Sequence, residues 1–457
     1  MKRIFLYLSI VCTVLMVACH DDDSFTASPT ATLSFSTDSV KMDTVFSTVG
    51  SRTYDFWVYN RSRKGVRLKS VRLAQGNQTG FRVNVDGSYL DNSTGAVVND
   101  LEVRSHDSIR VFVELTAPEN YLNEPLIIED DLVFTLESGV EQRMPLRGCA
   151  WDAIIYKDEI RISHDTIIES RKPIVLMQGL RVDSTATLVL KGTSLYFHDH
   201  AGLDVYGTLV ADSSVFRGDR LDRMFSYLPY DRVSGQWKGI HIHDSSYGNR
   251  FTASEIRNAE NGIVCDSTTF IPRKLRLYMK NSVVHNCAGV GLQTFNSYVG
   301  LLYCQFTNTQ GDCAAFYGGA VIMDRCTLAQ FYPFKADRGA ALRFANYYNG
   351  NPYPLEAMNV TNSIVTGYAD DVVMGDAHEN DSITAFSYYF ENSLLRTPVV
   401  KDAKDVPDTI NFVSVRWETP KDSIQGKQHF RLIDEENLRY DFHLDSLSTA
   451  HGLGCYD

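Results

Sequence analysis

The sequence predicts an all-β chain in two parts, an antiparallel sandwich over 31–150 followed by a right-handed parallel β-helix over 151–457. Three observations predict it. Apolar and polar residues alternate in period two through the first part, and a short motif then recurs at intervals of 28, 22 and 22 residues in the second. The composition, 44% hydrophobic and 22% charged with 30 Gly and only 13 Pro in 457 residues, is that of a packed chain and too apolar for disorder. At this length two units are expected, because single cores stop growing by about 250–300 residues. The formal charge of −12 supplies no basic surface to neutralise phosphates, so nucleic acid is not an expected partner.

Lys2 and Arg3 precede an apolar run over 4–17 that is closed by Ala18 and Cys19, the pattern of a secretory signal over 1–18. The run is shorter than the roughly 20 residues that span a bilayer as a helix, and a short signal anchor is the alternative. Met16-Val17-Ala18-Cys19 resembles the lipobox of bacterial lipoproteins. That resemblance implies lipidation of Cys19 and outer-membrane lipid as its partner, held durably because each buried CH₂ contributes about 0.8 kcal/mol. His20-Asp21-Asp22-Asp23 resembles the acidic signal that sends certain Gram-negative lipoproteins to the outer leaflet, which implies a surface-exposed outer-membrane location. Read from its residues alone, the stretch is a solvated acidic linker. Small polar residues over 24–30 complete a tether over 19–30.

Beyond the anchor seven cysteines remain, an odd number that precludes complete intrachain pairing. No Cys-x-x-Cys pair supports structural zinc.

The sandwich rests on the runs Tyr54-Asp-Phe56-Trp-Val58, Val66-Arg-Leu68, Phe81-Arg-Val83-Asn-Val85 and Ile109-Arg-Val111-Phe-Val113-Glu-Leu115, each able to lay one face on a core. Some seven short strands in this length suit an immunoglobulin-like sandwich, although the Cys…Trp…Cys spacing of antibody domains is absent.

After Trp151 the motif is a small polar residue, an apolar residue two on and an amide two further on. It reads Ser254-Glu-Ile256-Arg-Asn258, Ser282-Val-Val284-His-Asn286, Cys304-Gln-Phe306-Thr-Asn308 and Cys326-Thr-Leu328-Ala-Gln330, with echoes at Ile364 and Leu394. Alternation within the repeat favours stacked β-coils over a helical solenoid. The apolar members stack, the asparagines form a ladder at a bend, and Ser254, Ser282, Cys304 and Cys326 form a second ladder. Because Cys occupies the slot of Ser, Cys304 and Cys326 are expected as free buried thiols, though a disulfide is within reach. The stretch from Tyr440-Asp-Phe442 to Gly454 reads as the closing coil.

The Asp43-Thr-Val-Phe-Ser-Thr-Val-Gly-Ser51 segment, together with Gly192-Thr-Ser-Leu-Tyr-Phe-His198, Gly202-Leu-Asp-Val-Tyr-Gly-Thr-Leu209 and Gly235-Gln-Trp-Lys-Gly-Ile240, resembles a family of β-helix-containing bacterial surface lipoproteins. The resemblance covers nearly the whole mature chain and implies a fold and a location but no reaction. The solenoid is also similar to that of pectate lyases and polygalacturonases, so a carbohydrate-active enzyme, lyase or glycoside hydrolase, is the alternative function. Against it, Asp370-Asp371 is the only Asp pair in the solenoid, and His451-Gly452 is the sole fragment of the polygalacturonase motif set, far along the chain. Asp370-Asp371 reads as a solvated turn, and no catalytic residue is assigned.

No phosphate loop or Gly-x-Ser-x-Gly elbow is present, so no cofactor is expected. His198-Asp199-His200 and His241-Ile242-His243-Asp244 raise the question of a metal. His241 and His243 share a strand face, but polar residues alternating on a solvent face are the commoner explanation, and no metal is expected. Eight Asp-Ser/Thr-aliphatic triplets, Asp107-Ser108-Ile109 and Asp165-Thr166-Ile167 among them, resemble an O-glycosylation acceptor and fit strand entries as well.

One segment, 217–238, has no strand period and groups Arg220, Tyr227, Tyr230, Asp231 and Trp237. Long loops in compact folds are usually functional, and aromatic faces beside charge suit glycan or peptide ligands. These five are the expected ligand-binding residues, and packing of the rings onto the solenoid is the alternative. The expected function is therefore a lipid-anchored, non-enzymatic surface scaffold that binds glycan or protein.

Overall fold

The computed structural model describes residues 24–90, 93, 95–378, 383–401 and 405–456. The signal, Cys19 and Asp21 to Asp23 lie outside the described residues. The chain divides after Asp152 into two compact units.

In the first unit, alternation becomes two packed five-stranded sheets. One runs in the order Ser34–Phe35, Tyr54–Tyr59, Ser108–Leu115, Phe81–Val85, Ser88–Tyr89, and the other in the order Val40–Phe46, Glu141–Trp151, Leu126–Leu136, Val66–Leu73, Val97–Val103. Pairing is antiparallel except between Glu141–Trp151 and Val40–Phe46. Phe56, Val58, Leu68, Val83, Val111, Val113 and Phe134 fill the space between the sheets. The unit is an immunoglobulin-like sandwich with ten strands among the described residues where about seven were expected. The surplus includes the two-residue strands Ser34–Phe35 and Ser88–Tyr89, too short to show a period, and Val97–Val103, which buries only its last residue.

The second unit is a parallel β-helix, right-handed as crossovers between parallel strands are. One face is an eleven-stranded sheet that includes Glu255–Arg257, Val283–His285, Gln305–Thr307, Thr327–Gln330, Ile364–Gly367 and Leu394–Leu395, and a seventeen-stranded sheet wraps the remaining faces. Every coil pairs in parallel with the next. Ile256 lies over Val284, Val284 over Phe306, and Phe306 over Leu328. The column continues through Val365 and Leu395, one residue beyond the expected Ile364 and Leu394. Ile364 and Leu394 instead belong to a separate apolar cluster with Phe430, Phe442 and Leu444.

The small-residue ladder has a definite chemistry. The hydroxyls of Thr193, Ser214, Ser254, Ser282, Ser363 and Ser393 and the thiols of Cys304 and Cys326 each donate to the backbone carbonyl two residues earlier. Each follows a residue with φ between 44° and 55° that turns the coil, and the buried donor adds a bond to a carbonyl such as those of Lys280, Leu302 and Asp324 that already accepts an amide from the preceding coil, pinning the turn. Cysteine fits because a thiol fills this slot as a weak donor. Both thiols are free, as are those of Cys265, Cys287 and Cys313, which burial pushes up to about 12. In the amide ladder, Asn258, Asn286 and Asn308 all take positive φ, and the Asn286 amide donates to Asn258 Oδ1 at 2.9 Å.

The chain end departs from expectation. Phe430–Asp434 and Arg439–Leu444 form an antiparallel hairpin instead of a coil, and the last coil strands are Phe412–Val413 and Arg416–Trp417. Period-two alternation is the same for a coil strand and a hairpin strand, so the pattern of Tyr440 to Leu444 could not separate them. The hairpin exists because the outer side of the sheet is apolar here, and Phe430, Phe442 and Leu444 cover Ala329, Phe331 and Ile364.

Candidate functional site

The 217–238 insertion leaves the eleven-stranded sheet at Val215–Gly218 and enters the seventeen-stranded sheet at Ile240–Ile242. Its base is braced by charge. Arg217, 6% exposed, pairs with Asp231 at 2.7 Å, and Arg257 reaches the same carboxylate oxygen at 3.3 Å. Arg220 grips Asp222 through two hydrogen bonds of 2.7 and 2.6 Å, and its guanidinium lies 4.0 Å from the centre of the Tyr230 ring. Bidentate geometry and a covered ring make this a fixed support. The Gln236 amide adds bonds to the Tyr230 and Val233 carbonyls, and Arg232 donates to the Asn437 carbonyl in the C-terminal hairpin.

On this base stands a small antiparallel hairpin, Arg223–Phe225 with Leu228–Pro229, in a segment expected to have no strands. Its tip is apolar and open to solvent. Tyr227 is 74% exposed and Phe225 51%, and the two rings stack at 5.6 Å. Beside the base lies a groove of about 470 Å³ walled by Asp231 and Arg232 of the loop, Arg257 and His285 of the sheet, and Tyr440 and His443 of the C-terminal hairpin. Burial, aided by the Arg257 cation, pushes His285 down to about 4, so at neutral pH it is an uncharged ring bonded to the Thr307 hydroxyl at 2.8 Å.

The five expected ligand-binding residues divide. Tyr227 is free to touch a ligand. Tyr230 has one face covered by Arg220, and Arg220 and Asp231 are engaged within the loop, leaving Asp231 to share the groove wall. Trp237 is a correction. It is 1% exposed, stacked on Phe197 at 4.3 Å, with its indole N–H donating to the Arg257 carbonyl at 2.9 Å. The indole fills the coil where the loop rejoins it, and Gly239 just beyond is required at φ +102°, since a Cβ there would meet the Asn261 carbonyl oxygen at 1.6 Å. Phe225, exposed beside Tyr227, is not among the five, although the Phe225-Ser-Tyr227 spacing is the i, i+2 signal of two rings on one strand face. Sequence reasoning could not have found Arg257, His285 and Tyr440, which the fold brings from other coils.

The polysaccharide-cleaving candidates are engaged elsewhere. Asp370 is exposed and pairs with Arg396 at 3.1 Å, and Asp371 accepts from the Val373 amide at 3.3 Å. Asp222 and Asp231 are held by arginines, not by each other. Asp199 and His200 are largely solvated. Among the described residues no helix is long and apolar enough to cross a membrane.

No protein-family model matches this chain, and no curated protein matches it. Among solved structures, PapD-like domain 7 of human CEP192 matches 28% of this chain and 90% of its own at 15% identity, with a TM-score of 0.18. A family 123 glycoside hydrolase from Clostridium perfringens matches 30% of each chain at 7% identity, with a TM-score of 0.19. A PL6 family alginate lyase matches 66% of this chain and 56% of its own at 11% identity, with a TM-score of 0.15.

Proposed function

We propose that this protein is a lipid-anchored, outward-facing lipoprotein of the outer membrane, akin to the β-helix-containing bacterial surface lipoproteins. In this reading its β-helix is a non-enzymatic wall that binds an extracellular glycan or protein. The observation that carries the binding role is the stacked, exposed pair of Phe225 and Tyr227 on a charge-braced hairpin beside the 470 Å³ groove. Exposing two stacked rings costs solvation that packing alone does not require, and a rigid aromatic edge binds sugar or peptide faces with little loss of side-chain entropy. Binding is favoured over glycoside hydrolysis, which needs two working carboxyls, because the groove carboxylates are engaged: Asp231 and Glu255 pair with arginines, and Asp441 is bonded to His443 at 2.6 Å.

A glycan array probed with the unlipidated mature chain tests the proposal. The expected result is a set of ligands whose signal falls about 10- to 100-fold in Tyr227→Ala, the effect of losing a stacked ring worth about 1–3 kcal/mol. Ligands retained at full strength by a Phe225→Ala/Tyr227→Ala double variant, or turnover of a polysaccharide by the wild type, would count against it.

A further inference from the structure

Outward-facing positions on three successive coils gather two imidazoles between two carboxylates. Leu203–Val205, Ile240–Ile242 and Ile263–Cys265 stack in parallel with Leu203, Ile240 and Ile263 facing inward, which turns Asp204, His241 and His243 outward with Asp266 just beyond the third strand. His243 Nε2 is 2.8 Å and His241 Nδ1 3.8 Å from Asp204 Oδ1. On the opposite side His241 Nε2 is 2.7 Å from Asp266 Oδ1, and His243 Nδ1 is 3.3 Å from Asp266 Oδ2. The ring centres are 4.0 Å apart, and the Tyr206 ring stacks on His243 at 3.8 Å.

The geometry of the donor atoms points to a ligand set. All four ring nitrogens face carboxylate oxygens. The shortest contact of His241 is from Nε2 to Asp266 Oδ1 at 2.7 Å, and that of His243 is from Nε2 to Asp204 Oδ1 at 2.8 Å. His241 Nδ1, His243 Nε2 and Asp204 Oδ1 lie together on the outer face, with Asp266 on the far side of both rings.

We propose that Asp204, His241 and His243 bind one divalent transition-metal ion, with Asp266 as the carboxylate that orients both rings. Tetrahedral metal–ligand bonds of about 2.0–2.1 Å place donor atoms about 3.3 Å apart, between the 2.8 and 3.8 Å separations here. The three donor atoms all lie within 4.8 Å of one another. Two imidazoles and one carboxylate suit zinc, iron(II), cobalt or nickel over magnesium and calcium. Asp266 performs the outer-shell role that fixes the tautomer of a ligating histidine. Three protein ligands leave a coordination position open to solvent. This departs from the expectation of no metal, and it is independent of the binding role given to the 217–238 loop.

The test is a titration of the chelator-stripped mature protein with cobalt(II), followed by visible absorption, and with zinc(II), followed by calorimetry and thermal unfolding. The expected result is saturation at one equivalent, a cobalt spectrum without a thiolate-to-cobalt band, and a rise in Tm on adding zinc. Asp204→Asn and His243→Gln should abolish saturable binding, and Asp266→Asn should weaken it about 10- to 100-fold at unchanged stoichiometry. No saturable binding by the wild type, affinity unchanged in His243→Gln and Asp204→Asn, or a thiolate band would overturn the proposal. Because all three changes lie on the outer face, apo-protein Tm values near that of the wild type establish that each variant folds.

Discussion

Truncation of Trp237 separates the two roles an aromatic loop residue can have. A buried indole removes about 150–250 Å² from water, which at about 25 cal/mol per Å² is roughly 4–6 kcal/mol. Loss of the bond to the Arg257 carbonyl adds about 1 kcal/mol, and relaxation around the cavity takes some back, so Trp237→Ala is expected within the 3–5 kcal/mol range of such truncations. For a unit of about 300 residues the unfolding entropy near Tm is about 0.6 kcal/mol/K, and a 4 kcal/mol loss becomes a fall of about 6 °C. Tyr227→Ala, removing a ring that is 74% exposed, should stay within about 1 °C, since surface changes rarely exceed 0.5 kcal/mol. Thermal unfolding of the two variants by circular dichroism beside the wild type reads both numbers. A fall of less than about 2 °C for Trp237→Ala, or equal falls for both, would refute the division of the loop into a packed root and a free tip.

Arg396 is 6% exposed and holds the buried Glu418 at 2.5 Å, and Arg396→Met should cost about 3–5 kcal/mol by stranding that carboxylate, while Arg396→Met/Glu418→Gln recovers much of it in denaturant titrations. Burial alone would raise the Glu418 carboxyl, but bonds from His429, Arg396 and the Gly426 amide together hold it below the usual glutamate range, so its contribution is present at neutral pH and lost on acidification below that range. His285 has a folded-state value of about 4 against 6.5 unfolded, so the unfolded chain binds the extra proton between them and stability falls as pH drops through that window. Wild-type Tm should therefore fall more steeply from pH 6.5 to 4 than that of His285→Asn, and identical slopes would exclude His285 as the cause. At the other end of the chain, Cys19→Ala should leave the membrane fraction, whereas replacing Asp21, Asp22 and Asp23 by Ala should keep the protein lipidated and remove its protease accessibility on intact cells.

Much of the fold was legible because it is written in short periods. Phe81, Val83 and Val85 face the sandwich core as their spacing requires, and the 22-residue steps from Val284 to Phe306 to Leu328 are coil steps whose members lie in register. The small-residue ladder was legible because Cys304 and Cys326 take the slot of Ser254 and Ser282, while the turn it occupies and the bond each member donates to a carbonyl two residues back came from the structure. Where two structures share one period, reading stopped. The Tyr440 to Leu444 strand alternates as a coil strand would, and only the apolar outer patch around Phe331 and Ile364 makes it a covering hairpin.

The sequence by itself determined the architecture, since alternation and the repeat are properties of neighbouring residues. Tertiary structure alone decided which side chains meet. In the 217–238 loop, composition could not rank Trp237 against Tyr227, because burial depends on where the loop rejoins the coil and not on the chemistry of the ring. The same loop separates Asp204 from His241 along the chain while the sheet pairs them directly, so the Asp204, His241, His243 and Asp266 cluster becomes visible only once the coils are stacked.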